Sequence, residues 1–358
     1  MQRINHRLVV VLIVATLAGI GAVAGLHRFN VVRNAESILD RARERRDEGR
    51  SAEAAGFYTR YLALRPSDGV AQAELAIMLL EGVNAGNTNR AAVLNTYNAL
   101  EAAVRQNPDD DSLREKLGRF LLRVGSPIEA KQHFSAILDR RLRGDGKSPT
   151  PGADASDDAS SDAVINLLFA QACAGAGEYD EASRVTAKLI GYDPVTKIFD
   201  TSFEALPDCA DAYVLLSDLL ERRFKDKDSA TKVIRRLPEA YPKDSRAWLA
   251  MARWSYDNGD LAAAAIEIAN ATEISPYSPE VAFADFEIAM RTGNVARAER
   301  LIRESMAPYG EDARVIVGRA DLALAQGDPV AAIEILEAGA ESAPDSPAIL
   351  HQIGRAHV

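Results

Sequence analysis

Histidine and cysteine, the residues that most often bind zinc or take part in nucleophilic catalysis, are few in this chain of 358 residues and are spread along it. The candidates are five histidines and two cysteines: His6, His27, His133, His351, His357, Cys173 and Cys209. Only His133 among the histidines lies between residues 35 and 346. A zinc cluster or a Ser-His-Asp triad needs several such groups in one place. The sequence therefore predicts no metal site, no cofactor and no enzymatic activity.

A phosphate-binding loop is the next chemistry to consider, because Gly146-Lys147-Ser148 ends as such loops do. The loop motif requires a glycine five residues before Gly146, where Arg141 stands, and no apolar strand precedes it. We interpret this stretch as a linker, and no small-molecule substrate is evident. The net charge of −10 argues against a nucleic-acid partner, whose protein would carry a basic footprint. Both cysteines are expected to be packed thiols, with a Cys173–Cys209 disulfide as the alternative.

A repeat of 34 residues organises the second half of the chain. Two sets of positions carry it: Gly259, Gly293 and Gly327, and Ala264, Ala298 and Ala332. The same offset of five residues between Gly and Ala recurs at Gly49, Gly125 and Gly177. The glycine suits a left-handed turn between two helices, and the alanine allows those helices to approach closely.

Proline and small residues complete the pattern. Second helices are expected to end near prolines, because proline cannot continue a helix interior. These are Pro66, Pro108, Pro194, Pro242, Pro276 and Pro344. A small residue on each first helix is expected to face the second: Ala42, Ala76, Gly118, Ala170, Ala252 or Ala320.

With these residues the sequence resembles the tetratricopeptide repeat family from Ala35 to Ser346. The resemblance implies an all-α, right-handed α–α superhelix. Eight repeats are predicted to begin near Ala35, Gly69, Asp111, Ala163, Ala210, Ser245, Pro279 and Ala313. Repeats 1–3 occupy residues 35–142 and repeats 4–8 occupy residues 163–346. The second repeat has an insertion around Gly82–Asn89, and the fifth lacks the glycine between its helices.

Two segments interrupt the predicted array. Residues 143–162 are rich in Gly, Pro, Ser and Asp and are expected to be a disordered linker. Residues 195–208 form an insert whose apolar side chains are expected to pack back onto the repeats. A docking segment for a partner is the alternative.

The end of the chain has two interpretations. Residues 347–358 are either an incomplete ninth repeat or an artefactual tail, since Ile353–Val358 resembles a translated sequencing adapter. The natural protein is therefore expected to be longer.

The N-terminal residues predict a membrane anchor ahead of the repeats. Leu8–Leu26 is a run of 19 uncharged, mostly apolar residues between a tail (1–7) and a juxtamembrane linker (27–34). As a helix it would span about 28 Å, close to the thickness of a bilayer core. A signal peptide cleaved after Ala24 is the alternative. The repeat domain is predicted to be extracytoplasmic, and a cytoplasmic orientation stays open because arginines follow the run.

In the resembled family the first helices line a concave surface that holds protein or peptide partners. Its positions correspond here to Arg43, Arg46, Arg119, Arg123, Arg246, Arg253, Tyr256, Phe283, Glu287 and Met290. Arg, Tyr, Phe and Met are enriched at protein interfaces. The leading hypothesis is a membrane-tethered scaffold in a cell-envelope complex. The alternatives are a scaffold for exopolysaccharide export or assembly and the non-catalytic part of a longer enzyme.

Overall fold

The computed structural model describes residues 35–144, 155–344 and 346–356. The chain divides into two compact units, Met1–Gly152 and Ala153–Val358. Both are built from helices joined by short turns. The first unit contains α1 (35–47), α2 (Ser51–Leu64), α3 (Gly69–Asn84), α4 (Arg90–Gln106), α5 (Asp111–Arg123) and α6 (Pro127–Leu142).

The second unit continues the helical pattern and adds one hairpin and one π-helix. Its elements in chain order are α7 (Ala155–Gly175), α8 (Tyr179–Leu189), β1 (Tyr192–Asp193), β2 (Ile198–Phe199), α9 (Ala210–Asp218), the π-helix Leu219–Arg223, α10 (Lys227–Ala240), α11 (Ser245–Asp257), α12 (Leu261–Ile274), α13 (Pro279–Arg291), α14 (Val295–Glu304), α15 (Ala313–Ala325), α16 (Pro329–Ser342) and α17 (Pro347–Ala356). A 3-10 turn, Ala307–Tyr309, joins α14 to α15. Helix α7 begins within the predicted linker 143–162.

Within a repeat the first helix packs on the second, and several first helices of the second unit also contact the first helix of the next repeat. In the second unit α11 packs on α12 and α13, and α13 packs on α14 and α15. The buried apolar side chains form successive local clusters that each join adjacent repeats. Such a core is that of a repeat array, in which stability comes from neighbouring units.

Small residues lie where the two helices of a repeat approach most closely. Ala252 of α11 and Ala264 of α12 are both fully buried in one cluster with Val281 of α13. At Gly118 of α5, an added Cβ would lie 2.6 Å from the ring Cζ of Phe134 on α6. The short side chains therefore set the spacing between the helices, since a larger one has no space.

The turns between paired helices use the left-handed backbone conformation. Gly259, for example, has a φ of +79°. The fifth repeat, which has no glycine there, places Lys225 in the same region with a φ of +57°. The preceding residues, Leu219–Arg223, form a π-helix, which adds a residue to the turn of the first helix. In the fifth repeat the turn between the two helices thus contains a strained lysine instead of a glycine.

The insert of the fourth repeat folds back onto the second unit. Tyr192 pairs with Phe199 in an antiparallel hairpin, and Asp193 pairs with Ile198. The Phe199 ring lies 5.1 Å from the Tyr192 ring and 6.4 Å from that of Tyr213. These aromatic contacts anchor the hairpin on α9, as expected of the apolar residues in the insert.

The predicted location in a membrane is corrected by the structure. Within residues 35–144, 155–344 and 346–356, none of the helices has the length and apolar character needed to cross a bilayer. Leu8–Leu26, on which the prediction rested, lies outside the described residues. The findings thus give no support to a transmembrane helix ahead of the repeats or to a single-pass membrane protein.

Helix α17 packs against α15 and α16. Its Ile349 is fully buried in the cluster that contains Leu336 of α16. This is the position of a ninth first helix, one of the two interpretations of residues 347–358. The expectation that the chain is truncated gains no support from it.

The helix contact at Ala264 predicts a local loss of stability on overpacking. Ala264→Leu is expected to destabilise the second unit by about 1–3 kcal/mol, because the added atoms meet α11 at its closest approach. Hydrogen exchange should rise most in α11, α12 and α13. Ala262→Leu on the exposed face of the same helix is the control, expected to change stability by less than about 0.5 kcal/mol. An equal rise in exchange throughout the second unit would contradict the local coupling.

Candidate partner-binding face

The first helices of the sixth, seventh and eighth repeats present equivalent positions 34 residues apart. We call the surface formed by these positions on α11, α13 and α15 the first-helix face. Three columns of residues cross it: Arg246, Glu280 and Arg314; Arg253, Glu287 and Asp321; and Tyr256, Met290 and Leu324. The first two columns are charged and the third is apolar.

The first column alternates in charge along the three helices. Arg246 and Arg314 each bind the aspartate that caps their own helix, with Nη2–Oδ2 distances of 2.7 Å to Asp244 and Asp312. Between them the pKa of Glu280 is lowered, first by its own backbone N–H and then by the Ser278 hydroxyl at 2.9 Å. The charges of Arg314 on α15 and Arg253 on α11 lower it further. The packing of α11, α13 and α15 therefore places arginines close enough to Glu280 to lower its pKa.

An aromatic side chain lies beside this column. The guanidinium carbon of Arg314 stands 4.0 Å from the centroid of the Phe283 ring, across the contact between α13 and α15. Such a cation–π contact holds the arginine side chain in place and leaves the edge of the ring half-buried. Phe283 thus links the apolar core of the seventh repeat to the charged surface.

The third column offers apolar groups within reach of solvent. Tyr256 packs against the cluster of the sixth repeat and Met290 against that of the seventh, and both are half-buried. Leu324 is 37% exposed at the equivalent place on α15. Among the described residues, Arg253 and Glu287 of the middle column are exposed and have no ion-pair partner within 4 Å. The face therefore combines apolar groups with free charges.

The arginines predicted on the first repeat bind other side chains of the first unit. Arg43 donates two hydrogen bonds to Glu74 of α3, at 3.0 and 2.8 Å, and Tyr58 of α2 donates a third at 2.8 Å. Arg46 binds Asp47 at 2.9 Å and lies 3.8 Å from Glu74. Both side chains are half-buried. Their contacts with Glu74 and Tyr58 join α1 to α3 and α2.

The hydrogen bonds at Glu74 shift the pKa values of Glu74 and Tyr58. Burial alone would raise the pKa of Glu74, but hydrogen bonds from Arg43 and Tyr58 overcome it and hold the pKa below its ordinary value of 4.5. Burial, and then the bond to Glu74, raises the pKa of Tyr58 to about 12. The carboxylate is therefore stabilised in its charged form by the folded state.

The third repeat places its two predicted arginines at the surface. Arg119 pairs with Glu115 one helical turn away, at 2.7 Å. Arg123 lies over the Phe120 ring, 5.5 Å from its centroid, and donates to Asn84 of α3. Both arginines are exposed, so their contacts leave them accessible.

Two features of the second unit were missed from the sequence. Arg314 occupies the second position of α15, and extending the rule that selected Arg246 by one repeat would have found it. The other is a buried ion pair, in which Arg297 of α14 donates to both oxygens of Asp285 at 2.7 and 2.8 Å. The Asp285 side chain is only 2% exposed. In the sequence, this ion pair was indicated only by a carboxylate, Asp285, within the apolar stretch Val281–Phe286.

Comparison with known proteins bears on the family of these repeats. A family model described as tetratricopeptide repeat matches residues 226–279 and 284–347, about a third of the chain. Residues 226–279 and 284–347 therefore contain tetratricopeptide repeats. The other described residues are also largely helical and form further helix pairs. No protein among the curated sequences matches it.

Solved structures with similar folds are distant in sequence. A tetratricopeptide repeat protein from Parabacteroides merdae shares 17% identity over 80% of this chain and 99% of its own, with a TM-score of 0.46. A chain of the APC/C hetero-tetramer Cut9–Hcn1 shares 15% identity over 86% of this chain and 52% of its own, with a TM-score of 0.45. This chain thus spans about half the length of that one. At these values the similarity carries no inference about partners.

The Glu74 network predicts a pH-dependent stability for the first unit. Glu74→Gln is expected to destabilise it by about 1–3 kcal/mol at neutral pH, because it removes the charge bound by Arg43. A lowered pKa in the folded state stabilises the fold above the unfolded pKa and is lost as the pH falls through the folded value. The difference between variant and parent should therefore shrink below about pH 4. Hydrogen exchange in α1–α3 at neutral and acid pH measures it.

The exposed Glu44 on α1 supplies the matched control. Glu44→Gln makes the same chemical change outside the network and should leave the exchange rates unaltered. A Glu74→Gln effect of equal size at pH 7 and pH 3 would show that packing, not charge, accounts for the loss.

Proposed function

We propose that this tetratricopeptide repeat protein is a scaffold that binds a protein partner on the first-helix face of its sixth to eighth repeats. The observation that supports the proposal most is the arrangement of α11, α13 and α15. They align a column of half-buried apolar groups beside columns of charged ones. Protein interfaces combine a buried apolar centre with a polar rim in this way.

The apolar side chains supply the anchors. Tyr256, Phe283 and Met290 are held by packing on their own clusters, so little side-chain freedom remains to be lost on binding. Aromatic residues and arginine are the types that most often dominate binding energy. A partner that covers these groups would remove apolar surface from water without reorganising the helices.

The charged columns supply orientation. Arg253 and Glu287 are exposed and unpaired among the described residues, so they are free to meet opposite charges on a partner. Rim charges of this kind act chiefly on the rate of association and on its dependence on salt. In the first unit, Arg119 and Arg123 are accessible for a secondary contact, whereas Arg43 and Arg46 serve the fold.

The other functions raised by the sequence have less support. A cell-envelope complex and a scaffold for polymer export both depended on Leu8–Leu26 and are not proposed. That the chain is the non-catalytic part of a longer enzyme stays an untested alternative. The scaffold proposal is supported by the surface geometry of the first-helix face.

The anchors on α11 and α13 predict losses of affinity on truncation. Tyr256→Ala and Phe283→Ala are each expected to weaken binding of a partner captured from native lysate by about 1–2 kcal/mol or more. Arg246→Ala should act mainly on the association rate and its salt dependence. Surface plasmon resonance at two salt concentrations measures both quantities.

Ile266→Ala is the matched control, because Ile266 is 66% exposed on the second helix α12, outside the first-helix face. It should bind as the parent does. Partner binding that survives Tyr256→Ala, Phe283→Ala and Met290→Ala together, in proteins with unchanged circular dichroism, would show that the partner lies elsewhere.

A further inference from the structure

A second surface of the molecule has the properties of a binding site and lies away from the first-helix face. It is a cleft of about 610 Å³ between α8, the β1–β2 hairpin and the π-helix. Its floor is formed by Ser183, Ala187, Tyr192 and Leu220, which are buried, and its rim carries Asp180 and Asp193, which are exposed. We call it the hairpin cleft. Its volume is within the range of small-ligand and side-chain pockets.

Local departures from the repeat pattern converge on this cleft. The hairpin and the π-helix form two of its walls. Lys197 in the hairpin and Lys225 after the π-helix both adopt left-handed backbone conformations, with φ of +58° and +57°. Lys197 binds Asp226 at the rim, with an Nζ–Oδ2 distance of 2.6 Å. Strained backbone persists where the surroundings fix it and often marks functional sites.

The floor of the cleft contains a hydroxyl without a partner. Tyr192 is only 4% exposed, and its Oη forms no hydrogen bond to any described residue. Leaving a buried hydroxyl unpaired costs about 1–3 kcal/mol. The other residues of the floor, Ser183, Ala187 and Leu220, form no hydrogen bond with it. A ligand with a polar end that reached the floor would recover this cost.

The charges around the cleft are unevenly paired. Arg184 is held by both oxygens of Glu181, at 2.9 and 2.6 Å, and Asp226 is held by Lys197. Among the described residues, Asp180 and Asp193 have no cationic partner within 4 Å. Asp193 accepts hydrogen bonds from the hairpin backbone and from Thr196, which lower its pKa and keep it charged.

One basic side chain opposes these carboxylates. Lys188 lies at the rim and has no ion-pair partner among the described residues. The unpaired groups of the cleft therefore sum to one negative charge, two carboxylates against one ammonium. The ring of Phe224, 41% exposed at the same rim, adds an aromatic face that can attract a cation.

We propose that the hairpin cleft binds the cationic side chain, lysine or arginine, of a protein partner. The aliphatic stem would lie on Ala187 and Leu220, and the charged end would meet the carboxylates of Asp180 and Asp193. An N–H of the ligand would donate to Tyr192 Oη. This site is independent of the first-helix face, so either proposal can fail without the other.

Fluorescence anisotropy of a dye-labelled peptide of alternating glycine and lysine, at physiological salt, tests the proposal. Tyr192→Phe removes only the unpaired hydroxyl and should weaken binding by roughly tenfold. Asp180→Asn should weaken it by roughly three- to tenfold, and Lys188→Gln should tighten it by roughly twofold. The protein's net charge attracts any basic peptide, so a matched charge change elsewhere is essential.

Asp257→Asn, at the exposed end of α11, provides that match and should leave the affinity unchanged. Thermal unfolding of Tyr192→Phe should equal or exceed that of the parent, which separates lost contact from lost folding. Binding unchanged by Tyr192→Phe and Asp180→Asn, or weakened as much by Asp257→Asn as by Asp180→Asn, would overturn the site. Competition by free spermidine as strong as that by unlabelled peptide would overturn the assignment to a protein partner.

Discussion

The close approach of the two helices within each repeat is the constraint on which the rest of this structure depends. In the sixth repeat both sides of the contact carry alanine, Ala252 and Ala264. Where one helix carries glycine, as at Gly118, the partner supplies a large ring that fills the space. Each repeat is thus packed internally, and within each unit its remaining apolar face joins it to the next repeat.

This construction leaves the exposed positions free to vary. The core is a series of local clusters, so we expect substitutions at exposed positions of the first helices to leave it intact. In the sixth to eighth repeats, equivalent positions then form two charged columns and one apolar column. The binding surface we propose is one consequence. The buried pair of Asp285 and Arg297 is a contrasting case, in which a charge serves the interior of a single repeat.

The regular part of this architecture could be predicted from the sequence. Helices α3, α5, α9, α11, α13 and α15 begin at the residues where repeats were expected, and α2, α4, α10, α12 and α16 end two residues before a proline. Local signals suffice here, because glycine, proline and aspartate act through their own backbone geometry. The first-helix positions of the sixth and seventh repeats followed from the same periodicity.

The remainder depends on contacts between distant residues. Arg43 donates hydrogen bonds to Glu74, which also accepts one from Tyr58. The spacing of the repeats in the sequence does not reveal that these residues meet. The left-handed Lys225 takes the place of a glycine in a turn held by hydrogen bonds to the π-helix, from Phe224 N–H to Leu219 O at 3.0 Å and from Asp226 N–H to Leu220 O at 2.8 Å. The hairpin cleft likewise arises from an insert whose folding depends on Tyr213, beyond the insert itself. Irregular elements are therefore where sequence periodicity fails and where specific function can be added.

Site-specific photo-crosslinking in the native host tests the central claim most directly. A benzophenone amino acid placed at Phe283 should yield discrete protein adducts, because this position lies in the middle of the first-helix face. The same group at Ile266, exposed on a second helix, should yield none above background. Adducts of equal yield and identity at both positions, or adducts at Ile266 alone, would contradict the account that the first helices hold the partner.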